Sequence, residues 1–516
     1  MKLKKRIILA IVTSSVLLTV VVLLDTGAIL YYHGNRNAHT EGPVKNFFRR
    51  HLQRMSNGSR DASLIASASG QLSAASDDPA PARPSPAEGE TILSQGPTGR
   101  TEPSATDTAP PDPYLDLQQI VAKVKKRNKK SGGRKQRWNP TIGDLLGRES
   151  GNNYCVFSSS EKTRQFGIVF TTAYPRTGCM AAGTIHVNTL LHYVTTLPIA
   201  HISQKEGGTQ IKLTIEFSDG GRALFKPMRH PRDQQTLKNQ FYFTDFERHN
   251  AEIAAFHLDR LLGFRRAVPT VGRTVNITKD LFPLAKGDLL KTFFFSPEKN
   301  HCFHGKCSYY CDTAHAICGS PDMLEGSFAV FLPGDAEVPR VHWRHPWRRS
   351  YSRRRKAEWE EDDEYCASVK ETPPYNEGRR LLDVVDMAVL DFLMGNMDRH
   401  HYETIEMFGN NSAPLHLDHG RGFGQAFLDE ASILAPLYQC CVMRHSTLAT
   451  LLRFHTGPER LSAAMVASMA RDPLRPVLWP PHLHALDRRL NTVLHVTRRC
   501  LHPAKDPNKV IIDDFH

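Results

Sequence analysis

Acidic residues are in deficit: 53 Asp and Glu stand against 66 Lys and Arg in 516 residues, a formal charge of +13. That balance suits an acidic substrate, a nucleic acid or an anionic surface, but several basic clusters sit in segments that read as unfolded. It sets a class and no more. The sequence has no internal repeat, which excludes a solenoid or a propeller. Across 33–137 no apolar period of 3.6 or 2 persists. Ser, Ala, Pro, Gly and charge dominate, as in Asp77-Asp78-Pro79-Ala80-Pro81-Ala82-Arg83-Pro84. Burial there could not offset the entropy of ordering, so we read 33–137 as a disordered stem. Its basic stretch, 123–135, reads as a solvated tether, with a binding patch or a processing site as the competing readings.

What is present begins at the N-terminus. Lys2, Lys4, Lys5 and Arg6 precede an apolar run over 7–24, broken only by hydroxyls such as Thr13, Ser14 and Ser15. Its length is at the lower end of what spans a bilayer as a helix. The basic flank, 1–6, stays cytoplasmic and the rest faces the lumen. A cleaved signal peptide is the alternative, and either segment sends the body into the secretory pathway. The even number of cysteines, 10, and the sequons at Asn57, Asn276 and Asn410 agree with an oxidising compartment. The anchor in turn argues against a nucleic-acid partner.

Residues 138–206 carry Cys155 and Cys179 and some apolar runs, and their structure is left open. Clear organisation begins at Gly207-Gly208-Thr209. Ile211, Leu213, Ile215 and Phe217 alternate with polar residues, which predicts a strand with one buried face. Ser218-Asp219-Gly220-Gly221 turns the chain into a second strand, Ala223-Leu224-Phe225-Lys226. Thr244-Asp245-Phe246-Glu247 then opens a helix through Ile253, Phe256, Leu258 and Leu261 that ends at Gly263. A second helix spans 379–394. A loop with Asp398 and a short strand ending at Asp418 follow it, and helical patterns dominate from Ser432 onward. The fold class is α+β: a small β-rich lobe followed by a larger helical one, over 207–505, with a C-terminal tail at 506–516.

Phosphoryl transfer needs cations on the phosphates, carboxylates for the metal, and a carboxylate beside the attacking hydroxyl. The chain supplies these in order. Lys226 sits on the second strand of the hairpin, although a snorkelling surface lysine has the same position. Glu247 opens the next helix, where Thr244-x-x-Glu247 is also a capping box. In Asn396-Met397-Asp398-Arg399-His400-His401-Tyr402-Glu403, an Asp is followed five positions on by an oxygen ligand, as in a kinase catalytic loop. Asp418 opens Asp418-His419-Gly420-Arg421-Gly422-Phe423-Gly424, analogous to the Asp-Phe-Gly metal site.

Three long runs carry a resemblance to the Golgi secretory kinases related to Four-jointed. They are Phe225-Lys226-Pro227-Met228, the stretch from Phe246-Glu247-Arg248 through Leu258-Asp259-Arg260, and the stretch from Asp391-Phe392-Leu393 through His401-Tyr402-Glu403. The similarity covers over half the chain. Pro346-Trp347-Arg348-Arg349-Ser350-Tyr351 belongs with them, preceded by His345 where the family tends to have Asn. The resemblance implies an atypical protein-kinase-like bilobal fold and a serine/threonine protein kinase that uses ATP and Mn²⁺ or Mg²⁺. It makes Asp398 the base. It puts Gln210 and Lys226 on the phosphates, and the adenine against Ala329, Val330, Phe331 and Leu332. Glu403 and Asp418 touch the nucleotide, and Glu247 and Asp418 hold the metal.

Substrates implied by the same resemblance are secreted acidic proteins, with Ser-x-Glu or Ser-x-phosphoserine sites read by Arg348, Arg349 and Arg353 to Arg355. A pseudokinase paralogue or a second copy is the implied partner, and the Golgi membrane the implied location, with secretion if the stem is cleaved. A pseudokinase in this group carries Gln where Glu247 stands, so Glu247 argues for a working enzyme. His419 replaces the Asn usual after the metal-binding Asp. A glycan kinase acting on xylose, or an allosteric partner of a related kinase, is the competing function. The tight spacing of Cys302, Cys307, Cys311 and Cys318 beside His301, His304 and His315 also admits zinc, although an oxidising lumen disfavours thiolate sites. The resemblance implies the disulfides Cys302–Cys318, Cys307–Cys311, Cys366–Cys440 and Cys441–Cys500, and glycosylation at Asn276 and Asn410.

Overall fold

The structure, a computed structural model, describes residues 112–130, 149–150, 154–155 and 184–513 apart from 333 and 337. The basic flank, the apolar run, Asn57, Cys179 and most of the expected stem lie outside the described residues. Among the described residues, no helix is long and apolar enough to cross a membrane.

Helix α1 (Leu115–Lys130) comes first, followed by α2 (Thr184–Thr196) and strand β1 (Ile199–Gln204). The hairpin is β2 (Leu213–Phe217) and β3 (Arg222–Pro227). Helix α3 (His249–Leu261), β4 (Thr270–Asn276) and β5 (Met323–Val330) complete the first lobe. Its five strands lie in the order β1-β2-β3-β5-β4, with antiparallel neighbours throughout. Leu213, Ile215 and Phe217 face inward, as the alternation predicts, and join Phe225, Phe328 and Val275 in one core. Each such side chain contributes roughly 1.5–3 kcal/mol by leaving water.

The second lobe is built on β6 (Arg340–Arg344), α4 (Arg380–Met394), β7 (His401–Ile405), α5 (Ala435–Cys440), α6 (His445–Thr456), α7 (Leu461–Met469) and α8 (Pro480–Leu501). Strands β6 and β7 pair antiparallel. Helix α4 is buried along most of its length. It stops because Gly395 takes φ +74° and returns its N–H to the Phe392 carbonyl at 3.1 Å. A left-handed residue at this place suits glycine, and the reversal delivers the Asp398 loop to the cleft.

Three parts of the chain are more ordered than their composition predicts. The stem reading covers 115–130, yet α1 packs on the helical lobe. Leu117 is fully buried, the Tyr114 hydroxyl donates to the Asn491 carbonyl at 3.0 Å, and Arg498 pairs with Asp116 at 2.9 Å. The 138–206 segment supplies α2 and the edge strand β1. The tail read over 506–516 includes a strand, Ile511–Ile512, paired parallel with Met443–Arg444, and Ile511 is 1% exposed. In each case tertiary burial overrides a weak local pattern. Leu117→Ala should therefore cost about 2–5 kcal/mol, the range for a buried leucine. Urea unfolding measures it, and an unchanged midpoint would mean that α1 does not dock.

Candidate active site

Strand β3 carries Lys226 into the cleft between the lobes, where its ammonium is buried. A buried ammonium needs compensation, and three carboxylates supply it: Glu252 at 2.6 Å, Asp418 at 2.7 Å and Glu247 at 2.9 Å. Burial alone would lower the Lys226 pKa, but Asp418, Glu247 and Glu252 together raise it well above the usual lysine range. Lys226 in turn holds the Asp418 carboxyl well below the usual range.

The helix does not begin where the capping box suggests. Thr244 ends a short 3₁₀ turn and its hydroxyl bonds back to the Phe241 carbonyl at 2.9 Å. The α-helix proper starts at His249. Glu247 lies in the preceding loop, its N–H donating to the Gln210 side-chain oxygen at 3.1 Å. The helix-borne partner of Lys226 is instead Glu252, which the sequence reading gave no role. Glu252 and Asp259 stand seven positions apart on one face of α3, and both are buried. That repeat of carboxylates on the face of a helix carrying Ile253, Phe256 and Leu258 is the signal that could have found Glu252. Glu252 accepts the His419 N–H at 3.0 Å, and Asp259 meets His416 Nδ1 at 2.6 Å. One helix face thus grips the segment that ends in Asp418.

The Asp398 loop is held from below. Asp391, on α4, pairs with Arg399 through two bonds of 2.8 and 2.9 Å, and accepts from Asn396 at 3.1 Å. Burial would raise the Asp391 carboxyl, but Arg399 holds it below its ordinary range. Asn396 Oδ1 accepts the Asp398 N–H at 3.0 Å, and Arg399 reaches the Leu417 carbonyl at 2.5 Å. Asp398 pairs with Arg421 through Oδ2, while its Oδ1 is buried without a hydrogen-bond partner. Burial pushes the Asp398 pKa up to about 6, with Asp418 and Glu247 adding to the rise and Arg421 and His400 opposing it.

Asp418 takes φ +58° and turns its carboxylate into the cleft. Gly420 follows against Glu247, where a Cβ would lie 2.9 Å from that of Glu247. This contact brings the two expected metal ligands into one space. Two carboxylates converging on one point, here marked by Lys226 Nζ, form a hard oxygen donor set that fits Mn²⁺ or Mg²⁺. His419 is buried, its Nδ1 lying 3.4 Å from Arg399 Nη2, and burial lowers its pKa. Its ring thus packs towards Arg399, under the loop.

The other expected residues divide. Gln210 is 3% exposed and its amide is spent on the loop around Glu247, with Nε2 on the Asp245 carbonyl at 3.4 Å. Ala329 and Val330 end β5, and the Val330 and Phe331 N–H groups donate to the carbonyls of Pro269 and Arg222, each at 3.0 Å. Leu332 is buried. Glu403, on β7, pairs with Arg340 at 3.1 Å. Of the expected basic groove, Arg349 is committed to Ser432 at 2.6 Å and lies over the Trp359 ring, whereas Arg353, Arg354 and Arg355 are exposed. Disulfides join Cys302 to Cys318, Cys307 to Cys311, Cys366 to Cys440 and Cys441 to Cys500, so the four clustered cysteines are bonded to one another. Asn410 is exposed, while the Asn276 amide donates to Asp322 at 2.8 Å.

Because the polar partner of the His419 ring is Arg399 and no hydrogen bond joins the ring to Glu247 or Asp418, His419→Asn should change turnover by less than about threefold, within the range of a residue outside the reacting shell. Steady-state phosphate transfer with Mn²⁺ is the measurement, and a hundredfold loss would place His419 at the metal.

A family model described as "Golgi casein kinase, C-terminal, Fam20" matches residues 169–509. An "Extracellular serine/threonine protein" of Drosophila melanogaster is 58% identical over 70% of this chain and 67% of its own. The human "Extracellular serine/threonine protein kinase FAM20C" is 54% identical, over 61% of this chain and 54% of its own. The chain thus spans between half and two thirds of the length of these relatives. A human "Pseudokinase FAM20A" (51% identical; 60% of this chain and 57% of its own) and a human "Glycosaminoglycan xylosylkinase" (44%; 61% and 76%) are also similar. The crystal structure of the Golgi casein kinase with Mn/ADP bound superposes with a TM-score of 0.66 at 40% identity, over 79% of this chain and 96% of that one. With a five-stranded lobe, a helical lobe and this cleft between them, the chain belongs to the Fam20 family of Golgi casein kinases.

Proposed function

We propose that this chain is a secretory-pathway serine/threonine protein kinase that moves the γ-phosphate of ATP to serines in acidic stretches of secreted proteins. The observation that carries the reading is the cleft itself. A buried lysine, the carboxylates that converge on it and a separate aspartate with one oxygen free of hydrogen bonds are the parts phosphoryl transfer requires.

Asp398 Oδ1 would accept the proton of the substrate serine hydroxyl as that oxygen attacks the γ-phosphorus. The bond from the γ-phosphorus to the bridging oxygen breaks, and ADP leaves with the electron pair. Lys226 would exchange part of its carboxylate shell for the phosphates. Glu247 and Asp418 would hold Mn²⁺ or Mg²⁺, which when bound offsets phosphate charge. Glu403 would face the nucleotide, and the adenine edge would be read by those backbone groups of 329–332 not already used in the sheet. Gln210 would act through Glu247, whose backbone it fixes, more than on the phosphates.

Serine rather than xylose is favoured by the higher identity to the protein kinases, 58 and 54% against 44% for the xylosylkinase. The presence of Glu247 argues against a purely allosteric role. The apolar run at 7–24 would anchor the chain in the Golgi membrane with the catalytic body lumenal. A pseudokinase paralogue or a second copy would be its partner, and stem cleavage would release it.

The test is phosphate transfer by the full chain from labelled ATP with Mn²⁺, with acidic casein-like peptides and a xylose-containing glycan offered side by side. We expect label on peptide serine, lost by about 10²-fold or more in Asp398→Ala, the usual contribution of a general base, and lost in Asp418→Ala. Label on the sugar would make it a glycan kinase, and no label would support the partner role. The base works only when ionised, so activity should fall as pH drops through about 6. A flat profile from pH 5 to pH 7 would remove Asp398 from the role of base.

A further inference from the structure

Arg421 has no part in the chemistry assigned above, yet it lies against Asp398. It is 8% exposed, and the carboxylate it pairs with is Oδ2 of Asp398. Its other terminal nitrogen, Nη2, lies 3.4 Å from the Thr209 hydroxyl, at the end of the turn in which Gly207 and Gly208 both take positive φ. The guanidinium lies over the Phe243 ring, 5.4 Å from its centroid. The group therefore touches the base, the glycine turn and an aromatic wall at once.

The backbone that presents it is fixed at both ends. Before it, Asp418 is held by Lys226, and the His419 N–H by Glu252. The Gly422 N–H closes a turn on the His419 carbonyl at 2.8 Å, and the Phe423 N–H reaches the Met394 carbonyl at 2.6 Å. A side chain on such a platform has little freedom, which is what positioning demands. The pairing is also one-sided. Arg421 takes Oδ2 and leaves Oδ1 buried without a hydrogen-bond partner, with His400 Nδ1 3.8 Å away, so Oδ1 is the oxygen left open to a substrate hydroxyl.

We propose that Arg421 is a positioning residue for phosphoryl transfer, holding Asp398 by one oxygen so that the other faces the incoming hydroxyl, and tying that base to the Gly207-Gly208-Thr209 turn. The inference rests on the kinase reading of the cleft. A lysine cannot reproduce the role, because a single ammonium cannot bridge two partners with a planar fork.

The experiment compares wild type, Arg421→Ala, Arg421→Lys and Asp398→Asn as full chains, with Mn²⁺, ATP and the acidic peptide, and with and without guanidinium chloride at tens of millimolar. If wild type transfers no phosphate, the kinase reading fails first. If it does, Arg421→Ala should lose about 100-fold in kcat, the scale of a misplaced catalytic group, with the KM for ATP unchanged. Added guanidinium should restore part of the loss in Arg421→Ala and nothing in Asp398→Asn. Arg421→Lys should retain the melting temperature of wild type but not its kcat. The double variant Arg421→Ala/Asp398→Asn should be no slower than Asp398→Asn. A loss confined to the KM for ATP would overturn the proposal in favour of nucleotide binding. It is likewise overturned by losses that multiply in the double variant, by a loss that guanidinium does not relieve, or by full activity in Arg421→Ala.

Discussion

The buried charge of Lys226 is the constraint on which the rest of the cleft depends. Moving an ammonium out of water costs several kcal/mol unless carboxylates surround it. Here they come from three separate segments: the loop before α3, α3 itself, and the stretch before the glycine-rich turn, where the expected strand ending at Asp418 is reduced to isolated bridges at Leu415 and His416. Satisfying one cation therefore fixes the distance between the sheet, the helix and the metal loop.

From that point the order spreads through hydrogen bonds to backbone. Glu252 and Asp259 hold the 416–419 segment from the side of α3, and Arg399 holds the Leu417 carbonyl from the side of α4. Asp418 and Asp398 thus belong to one network although they sit on different loops. Buried polar networks of this kind are stabilising only when nearly every member is satisfied. Among the groups described, Asp398 Oδ1, His416 Nε2, His419 Nε2 and Arg421 Nε are buried without a hydrogen-bond partner.

Much of this was legible beforehand where chemistry is local in sequence. Asp398 with Glu403 five positions on, and Asp418 ahead of its glycines, line one cavity, as their short spacing in the chain allows. The hairpin with Lys226 was legible from alternation. Glu252 was not, because its partner arrives from another strand and a carboxylate inside a helix reads as surface charge. The capping box at Thr244 failed for the converse reason. Its local pattern was complete, but Gln210 and Lys226 claimed Glu247 for the cleft. Helix α1 and the Ile511–Ile512 strand were hidden because a short, weakly apolar segment gains its order only from the surface it covers.

The sequence by itself determined the two-lobed α+β class and the order of Lys226, Glu247, Asp398 and Asp418 along the chain, because alternation and loop motifs depend on near neighbours. Only the tertiary structure decided that Glu252 shares Lys226, that Gln210 serves Glu247, that His419 packs beneath the loop, and that Arg421 holds Asp398. Each of those depends on groups brought within a few ångströms by the packing of two lobes, and no local pattern encodes a distance between segments so far apart in the chain.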